Sequence, residues 1–280
     1  MPVSLIKIRG SVPKPLIHLG KGMFLRFLDL YDFFSPRTGG VPPRRLAWAV
    51  GDGDFESIGN EFMRYFVELC HLNSGDRVLD VGCGCGRMAL PMSRYLSPNG
   101  RYNGIDVAKE GIEWCQKTIG AMFPNFDFRC MDVLNGKYNP AGVVLASEYE
   151  FPFCDSFFDF AFLTSVFTHM LPSDIEHYIA EISRVLKRNG RCLATFYLSN
   201  DDSRHLINVG KSSIEFKHPY GIYAVADKRD PELAVAYEET YIRDLLRKCQ
   251  LKVEEPIRFG SWSGRDKFTS YQDIVLVQKD

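Results

Sequence analysis

No apolar run in this 280-residue chain is long enough to cross a bilayer. Near the N-terminus, Lys7, Arg9, Pro13 and Lys14 interrupt what could have been the apolar stretch of a secretion signal. Bulk charge is missing too: 34 Lys and Arg face 35 Asp and Glu, a net charge of -1, so nothing pulls the whole chain toward nucleic acid. The eight cysteines (Cys70, Cys83, Cys85, Cys115, Cys130, Cys154, Cys192 and Cys249) contain no C-x-x-C pair. No His or Cys stands at zinc-ligand spacing from Cys83 or Cys85, which argues against a metal site. Most of these thiols lie in apolar runs and read as buried, reduced groups of a cytoplasmic protein. There is no internal repeat and no low-complexity tract. With 45% hydrophobic and 25% charged residues, the length implies one large domain, or one core with appended segments.

What is present is organised around Arg77–Met92, RVLDVGCGCGRMALPM. Val78, Leu79 and Val81 surround an acid, Asp80, and the chain then turns through Gly82, Gly84 and Gly86 into a second apolar segment. The pattern reads as a buried strand, a tight turn and the start of a helix, presenting bare backbone N–H groups to a ligand. The glycines are spaced G-x-G-x-G, not the G-x-G-x-x-G that cradles a dinucleotide pyrophosphate. An acid at the strand end would repel a diphosphate and hold an ammonium. The loop therefore suits a ligand with an amino group and no phosphate.

Downstream, apolar strands alternate with helical patterns. Strands are expected over 101–107, ending near Asp106, over 126–133, carrying Asp132, and over 158–163, running into Thr164-Ser165-Val166-Phe167-Thr168-His169. A fifth strand is expected over 191–198, and closing strands over 252–257 and 273–278. Helices are expected over 60–70, 87–96, 109–120, 173–187 and 240–249. Asp80, Asp106, Asp132 and the 164–169 turn all fall at carboxyl ends of strands, where a doubly wound sheet binds its ligand.

This ordered set, from Gly59 to Arg191, resembles the motifs of the class I S-adenosylmethionine (SAM)-dependent methyltransferases, with the glycine loop as motif I and EISRVLKRNGRCLATF as the segment into strand five. The resemblance implies a Rossmann-like α/β fold: a doubly wound, seven-stranded, mostly parallel sheet closed by a C-terminal antiparallel hairpin. It implies SAM as cofactor and S-adenosylhomocysteine as product. Asp80, Gly82, Gly84 and Gly86 would then hold the amino acid end, and Asp106 the ribose hydroxyls. Asp106 follows Gly86 by 20 positions, the spacing expected of an acid that binds a ribose diol. Asp132, with Met131 and Val133, would meet the adenine, and Phe55 and Gly59 would lie across the methionine end. Cys83, Arg87, Val107, Thr164 and Ser165 complete the expected cofactor set. One departure stands out: residues 134–147, LNGKYNPAGVVLAS, are inserted before the Pro152–Asp159 segment PFCDSFFD. Either Asp132 or the Ser147–Glu148 region could therefore meet the adenine.

Residues 1–50 form a basic arm, with Lys7, Arg9, Lys14, Lys21, Arg26, Arg37, Arg44 and Arg45 against only Asp29 and Asp32. Residues 1–20 read as extended and 35–45 as a loop. Between them, Phe24, Phe27, Leu28 and Tyr31 fall at i, i+3, i+4 and i+7 of a helix over 23–34. The expectation is that this helix packs over the core or the active-site mouth. Contact with a membrane or an amphipathic substrate is the other reading, and the mixed charge of Arg26, Asp29 and Asp32 counts against it. Residues 51–280 make the SAM-binding domain, with inserts 134–150 and 199–237, the second hairpin-like, forming a lid over the acceptor.

Transfer of a sulfonium methyl needs mainly in-line positioning. A base matters where the acceptor must lose a proton, and His169 is the candidate; the competing reading is a helix cap or a pocket wall. His205, His218, Glu148 and Tyr149 are weaker candidates, and His71 and His177 read as structural. The amine-methylating N-P-P-Y or D-P-P-Y signature of the family is absent where TSVF follows strand four, which favours oxygen. The expected activity is methylation of a hydroxyl or carboxylate oxygen of a small specialised metabolite, with no nucleic acid partner and no stable membrane insertion. An N- or C-methyltransferase of the same fold, or a SAM-binding protein without transfer activity, remains the alternative. A dehydrogenase is disfavoured by the glycine spacing and Asp80.

Overall fold

The computed structural model describes residues 14–280 apart from 36, 38 and 52, and for 14–22 the backbone alone. The expected extended stretch over residues 1–20 lies outside the described residues up to 13. From Lys14 onward the chain is helical instead, as α1 (Lys14–Phe34), followed by the short α2 (Arg44–Ala49). Helix α3 (Phe55–Glu68) starts five residues earlier than its apolar spacing suggests, because Asp54 accepts the Ser57 N–H at 2.8 Å and caps it. Phe55 and Gly59 thus belong to the helix and not to a segment before it.

Strand β1 (Arg77–Val81) leads through the glycine turn to α4 (Ala89–Met92), which is a single turn and not a helix over 87–96. From Arg94 the bonds tighten to i→i−3, Arg94 to Pro91 at 3.1 Å and Tyr95 to Met92 at 3.0 Å. Pro91 cannot donate to the Arg87 carbonyl, which keeps the helix from starting at 87. The same carbonyl explains Gly59. A Cβ added at Gly59 would lie 2.5 Å from the Arg87 oxygen, so only glycine lets α3 pack this closely. Then follow β2 (Arg101–Asp106), α5 (Lys109–Cys115) with a wider turn over Gln116–Gly120, and β3 (Phe126–Cys130). β4 (Phe158–Leu163), α6 (Pro172–Val185) and β5 (Leu186–Phe196) complete the parallel part. The third strand stops at Cys130, so Asp132 lies in the following loop. The fifth begins directly at the end of α6.

Residues 198–238 are more than a hairpin. They comprise β6 (Leu198–Ser199), α7 (Asp201–Asn208), β7 (His218–Pro219), β8 (Tyr223–Val225) and β9 (Val235–Glu238). The four strands form a small sheet in the order β6-β9-β8-β7. Helix α7 begins with a capping box in which Asn200 and Ser203 bond each other's backbone N–H groups. The chain ends with α8 (Glu239–Lys248), β10 (Leu251–Val253) and β11 (Asp273–Lys279).

The main sheet has the order β10-β11-β5-β4-β1-β2-β3. β1 to β5 pair in parallel, and β11 runs antiparallel between β5 and β10. Alternate residues along the strands supply two cores. On one face Val78, Tyr102, Phe128, Phe160 and Phe162 meet Phe62 and Phe66 of α3. The rings of Phe66 and Phe162 lie 4.4 Å apart. On the other face Leu79, Ile105, Ala161 and Leu163 meet Ile175, Ile179 and Ile182 of α6, with Leu246 of α8 in the same cluster. Five cysteines (Cys70, Cys83, Cys85, Cys115, Cys192) are buried as expected, Cys249 is half-buried, and Cys130 and Cys154 are exposed.

A buried carboxylate ties the small sheet to the core. Asp273 accepts from the backbone N–H groups of Gly260 (2.6 Å) and Leu198 (2.7 Å) and from the Trp262 indole (2.8 Å). Burial pushes its pKa up to about 6 against these three donors. Asp273→Ala leaves three buried donors unpaired and should cost about 3 kcal/mol or more, at roughly 1–3 kcal/mol per orphaned group; urea unfolding of the two proteins measures it.

Candidate functional site

The apolar strand β1 buries Asp80 to 1% exposure. Its register partner on β2 is Gly104, which has no side chain, so Tyr102, two residues earlier on the same face, reaches along the strand and donates its hydroxyl to Asp80 Oδ2. Oδ1 of Asp80 is buried with no hydrogen-bond partner among the described residues. Desolvation pushes the Asp80 pKa up to about 8, with Asp106 adding to it and the Tyr102 hydroxyl opposing. A buried, unpartnered carboxyl oxygen at a strand end is an address for an ammonium group.

Gly82, Gly84 and Gly86 all take positive φ (82°, 55° and 85°), which explains their residue type. Gly82 N–H bonds the Ile105 carbonyl at 2.8 Å, and Gly84 N–H bonds Asp106 Oδ2 at 2.7 Å. Asp106 Oδ1 accepts from Ala108 N–H at 2.7 Å. Burial pushes the Asp106 pKa up, opposed by these backbone donors. Asp106 therefore clamps the glycine loop to the end of β2, while each oxygen keeps a lone pair for a ribose hydroxyl. Cys83 is buried against Gly104, where a Cβ would come 2.9 Å from its sulfur. Val107 is half-buried beside the α6 core.

Two residues that the motifs do not flag cover the loop. A Cβ on Gly84 would meet Val50 at 2.5 Å, and one on Gly82 would meet Val166. Arg87 donates to the Gly51 carbonyl at 2.9 Å and stacks its guanidinium 5.5 Å from the centroid of buried Phe55. Phe55 and Arg87 thus act together in holding Gly51 beside the glycine turn. Gly59 sits apart, packing α3 onto α4.

At the third strand, Met131 and Val133 are buried and Asp132 is exposed. The 134–147 insert closes back on them, with Val133 bridged to Val144 and Asn139 Nδ2 donating to the Val133 carbonyl at 3.0 Å. The insert also reaches α2, where the Tyr138 hydroxyl donates to the Ala49 carbonyl at 3.3 Å. After β4, Thr164 is half-buried and Ser165 takes a left-handed φ of 58°. Ser165 N–H donates to Thr195 Oγ1 at 2.8 Å, and Gln272 Nε2 donates to Ser165 Oγ at 2.7 Å. These two fastenings from β5 and from just before β11 are invisible to local sequence patterns.

His169 lies in a 3₁₀ turn, with its Nδ1 2.8 Å from the Glu232 carbonyl in the second insert. A carbonyl only accepts, so Nδ1 carries the proton and Nε2 keeps a lone pair. Desolvation lowers the His169 pKa, the nearby Lys137 charge lowers it further, and the hydrogen bonds to Glu232 and Leu233 oppose both. Desolvation and the Lys137 charge both favour the neutral imidazole, which is anchored on the second insert. His177 bonds the Tyr149 carbonyl at 2.9 Å, a structural role. Among the described residues no group of His, Cys, Asp and Glu could hold a metal ion.

Residues 79–194 match a family model described as a methyltransferase domain. Over 147 residues the chain is 30% identical to the fatty-acid O-methyltransferase of Mycolicibacterium smegmatis, covering 50% of this chain and 46% of that protein. Over 155 residues it is 33% identical to phthiotriol/phenolphthiotriol dimycocerosates methyltransferase 1 of Mycobacterium ulcerans, covering 55% and 49%. The chain spans about half the length of these curated relatives. The magnesium protoporphyrin IX methyltransferase of Synechocystis PCC 6803, solved with bound S-adenosylhomocysteine, is similar in structure, with a TM-score of 0.51 at 15% identity over 84% of this chain and 93% of that one. At that identity the likeness is one of fold. The chain thus matches a methyltransferase domain over residues 79–194 and has the fold of the class I SAM-dependent methyltransferases. S-adenosylmethionine is the cofactor that such a domain and fold imply.

The linkage sign at Asp80 is testable. Seating an ammonium at Oδ1 requires the proton to leave, so SAM affinity should rise from about pH 6 to about pH 8, by at most about tenfold per unit. Tyr102→Phe removes a hydrogen bond to the ionised form and should move the rise to higher pH. Calorimetric titrations across this range, in buffers of different ionisation enthalpy, check both; a flat profile without proton release would contradict the assignment.

Proposed function

We propose that the protein transfers the methyl group of SAM to an oxygen, hydroxyl or carboxylate, of a small organic acceptor with an apolar body, and that His169 acts as general base when the acceptor is a hydroxyl. The observation that supports the reading is the anchoring of His169: its imidazole is held through Nδ1 on the Glu232 carbonyl, in the 3₁₀ turn that follows β4. Asp80 and the glycine turn would hold the amino acid end of the cofactor, Asp106 the ribose, and Met131 and Val133 the apolar faces of the adenine. Bound there, the cofactor supplies a methyl group already activated by its sulfonium. The chain's own task is to orient the acceptor oxygen in line with that methyl, exclude water, and take the proton at Nε2.

The acceptor wall would come from pieces outside the core: Ala49 and Val50, Lys137 and Tyr138, and the Glu232 turn. Lys137 gives that wall a positive charge suited to an anionic acceptor. The two curated relatives are named for a fatty acid and for phthiotriol dimycocerosates, which supports an apolar acceptor body. A cytoplasmic location and the exclusion of nucleic acid remain part of this proposal.

His169→Ala should lower kcat by about 10²–10⁴-fold, the usual worth of a general base, with SAM affinity unchanged. The wild-type rate should fall with acidity along a limb lying below the ordinary histidine value, since desolvation lowers this pKa. An unchanged kcat in the variant would leave His169 a wall residue and favour a carboxylate acceptor, which needs no base. Transfer to nitrogen or carbon in an acceptor screen would replace the oxygen assignment. SAM binding without turnover on any acceptor would favour a binding protein.

A further inference from the structure

Helix α1 does not pack as its periodicity suggests. Of Phe24, Phe27, Leu28 and Tyr31, only Leu28 is half-buried. The face turned to the protein is Leu25, Leu28 and Asp32, and it is fastened by polar contacts. Asp32 pairs with Arg44 and accepts its backbone N–H at 2.6 Å, and Asp29 pairs with Arg45 at 3.2 Å. Phe24 meets Trp48 edge-on at 5.7 Å, and the Arg44 guanidinium lies 4.4 Å from the Tyr31 ring centroid. The opposite face carries Met23, Phe27, Leu30 and Phe34 at i, i+4, i+7 and i+11, exposed by 68%, 60%, 57% and 76%.

We propose that this stripe docks the protein on an anionic lipid surface, with α1 lying in the interface plane. Three observations select this occupant. Residues 1–28 contain Lys7, Arg9, Lys14, Lys21 and Arg26 and no Asp or Glu, in a chain whose net charge is -1. A second copy would bring two such segments of like charge together, whereas anionic headgroups neutralise them. The two acids of the helix, whose mixed charge counted against a membrane, are paired with Arg44 and Arg45 of α2, so they leave the outward face unopposed. Large apolar side chains on one face with basic charge alongside are what an interfacial helix requires. No helix among the described residues is long and apolar enough to cross a membrane, so the contact is peripheral.

The test uses the whole chain and needs no turnover, so it stands apart from the methyltransferase assignment. Co-sedimentation is measured with vesicles of phosphatidylcholine and of phosphatidylcholine mixed with phosphatidylglycerol, beside a Phe27→Glu/Leu30→Glu double variant. Both side chains are exposed, and thermal melting verifies that the variant folds like the wild type. The expected result is binding to the mixed vesicles only, weakened by salt and by at least about tenfold in the variant. No binding to the mixed vesicles would overturn the proposal. So would equal binding by the variant, which would assign the attraction to the basic segment alone. A concentration-dependent dimer, dissolved by the double variant and accompanied by no vesicle binding, would make the stripe an interface between copies.

Discussion

A carboxyl group buried to 1% exposure at the end of β1 sets the terms for the rest of the site. Asp80 is held by one phenol and left unpartnered at Oδ1, so its charged form is costly. Its folded-state pKa of about 8 exceeds the ordinary aspartate value of 3.8. The native state therefore binds a proton that the unfolded chain releases, and this group's contribution to stability falls as pH rises from about 4 to about 8. An ammonium at Oδ1 reverses the sign, because it stabilises the ionised form that burial penalises. The fold thus carries an unfavourable element that a cationic ligand would relieve, and such a ligand would couple binding to stability.

The glycine turn answers the same constraint from the other side. Gly82 and Gly84 tie the loop to β2 through Ile105 and Asp106, and Gly104 leaves room for Cys83 and Phe128. The two acids have different jobs for a geometric reason. Asp80 is approached by one side-chain donor and retains an open oxygen. Asp106 is approached by backbone N–H groups at both oxygens and fixes the turn. Replacing either by its amide would disturb different things, ligand charge in one case and loop geometry in the other.

The sequence made the strand ends legible because a buried strand, an acid and positive-φ glycines each leave a local signature, and those signatures order the parallel strands. It made less of whatever depends on distant partners. Tyr102 was findable in principle, since a long polar aromatic two residues before a glycine on the neighbouring strand can reach where that glycine cannot. Val50 and Val166 covering the turn, Thr195 and Gln272 fastening Ser165, and the Glu232 carbonyl fixing the His169 tautomer are contacts between segments far apart in the chain. No periodicity encodes them. The two misread helices had local causes that were present, Pro91 cutting α4 short and Asp54 starting α3 early. The stripe on α1 was read at the right period and assigned the wrong side, because an amphipathic pattern does not state which polar residues already have partners.

The division between core and insertions has a consequence for specificity. The core strands supply the backbone turn, both structural acids and the Ser165 fastening, all rigid and shared by the two faces of one sheet. Outside these strands stand three separate excursions: α2, the 134–147 insert and the small sheet anchored by Asp273. Tyr138 joins the insert to Ala49 of α2 and the Glu232 carbonyl holds His169, whereas Val225, Val235 and Tyr237 of the small sheet are buried in the same core as α6. Under the proposed function these outlying segments would form the acceptor wall, and a change in the exposed 134–147 insert would cost packing mainly there, while the sheet keeps its own. On that reading, selectivity for the acceptor would reside where the chain departs most from the common core, and the same segments that hid the acceptor from the sequence would define it.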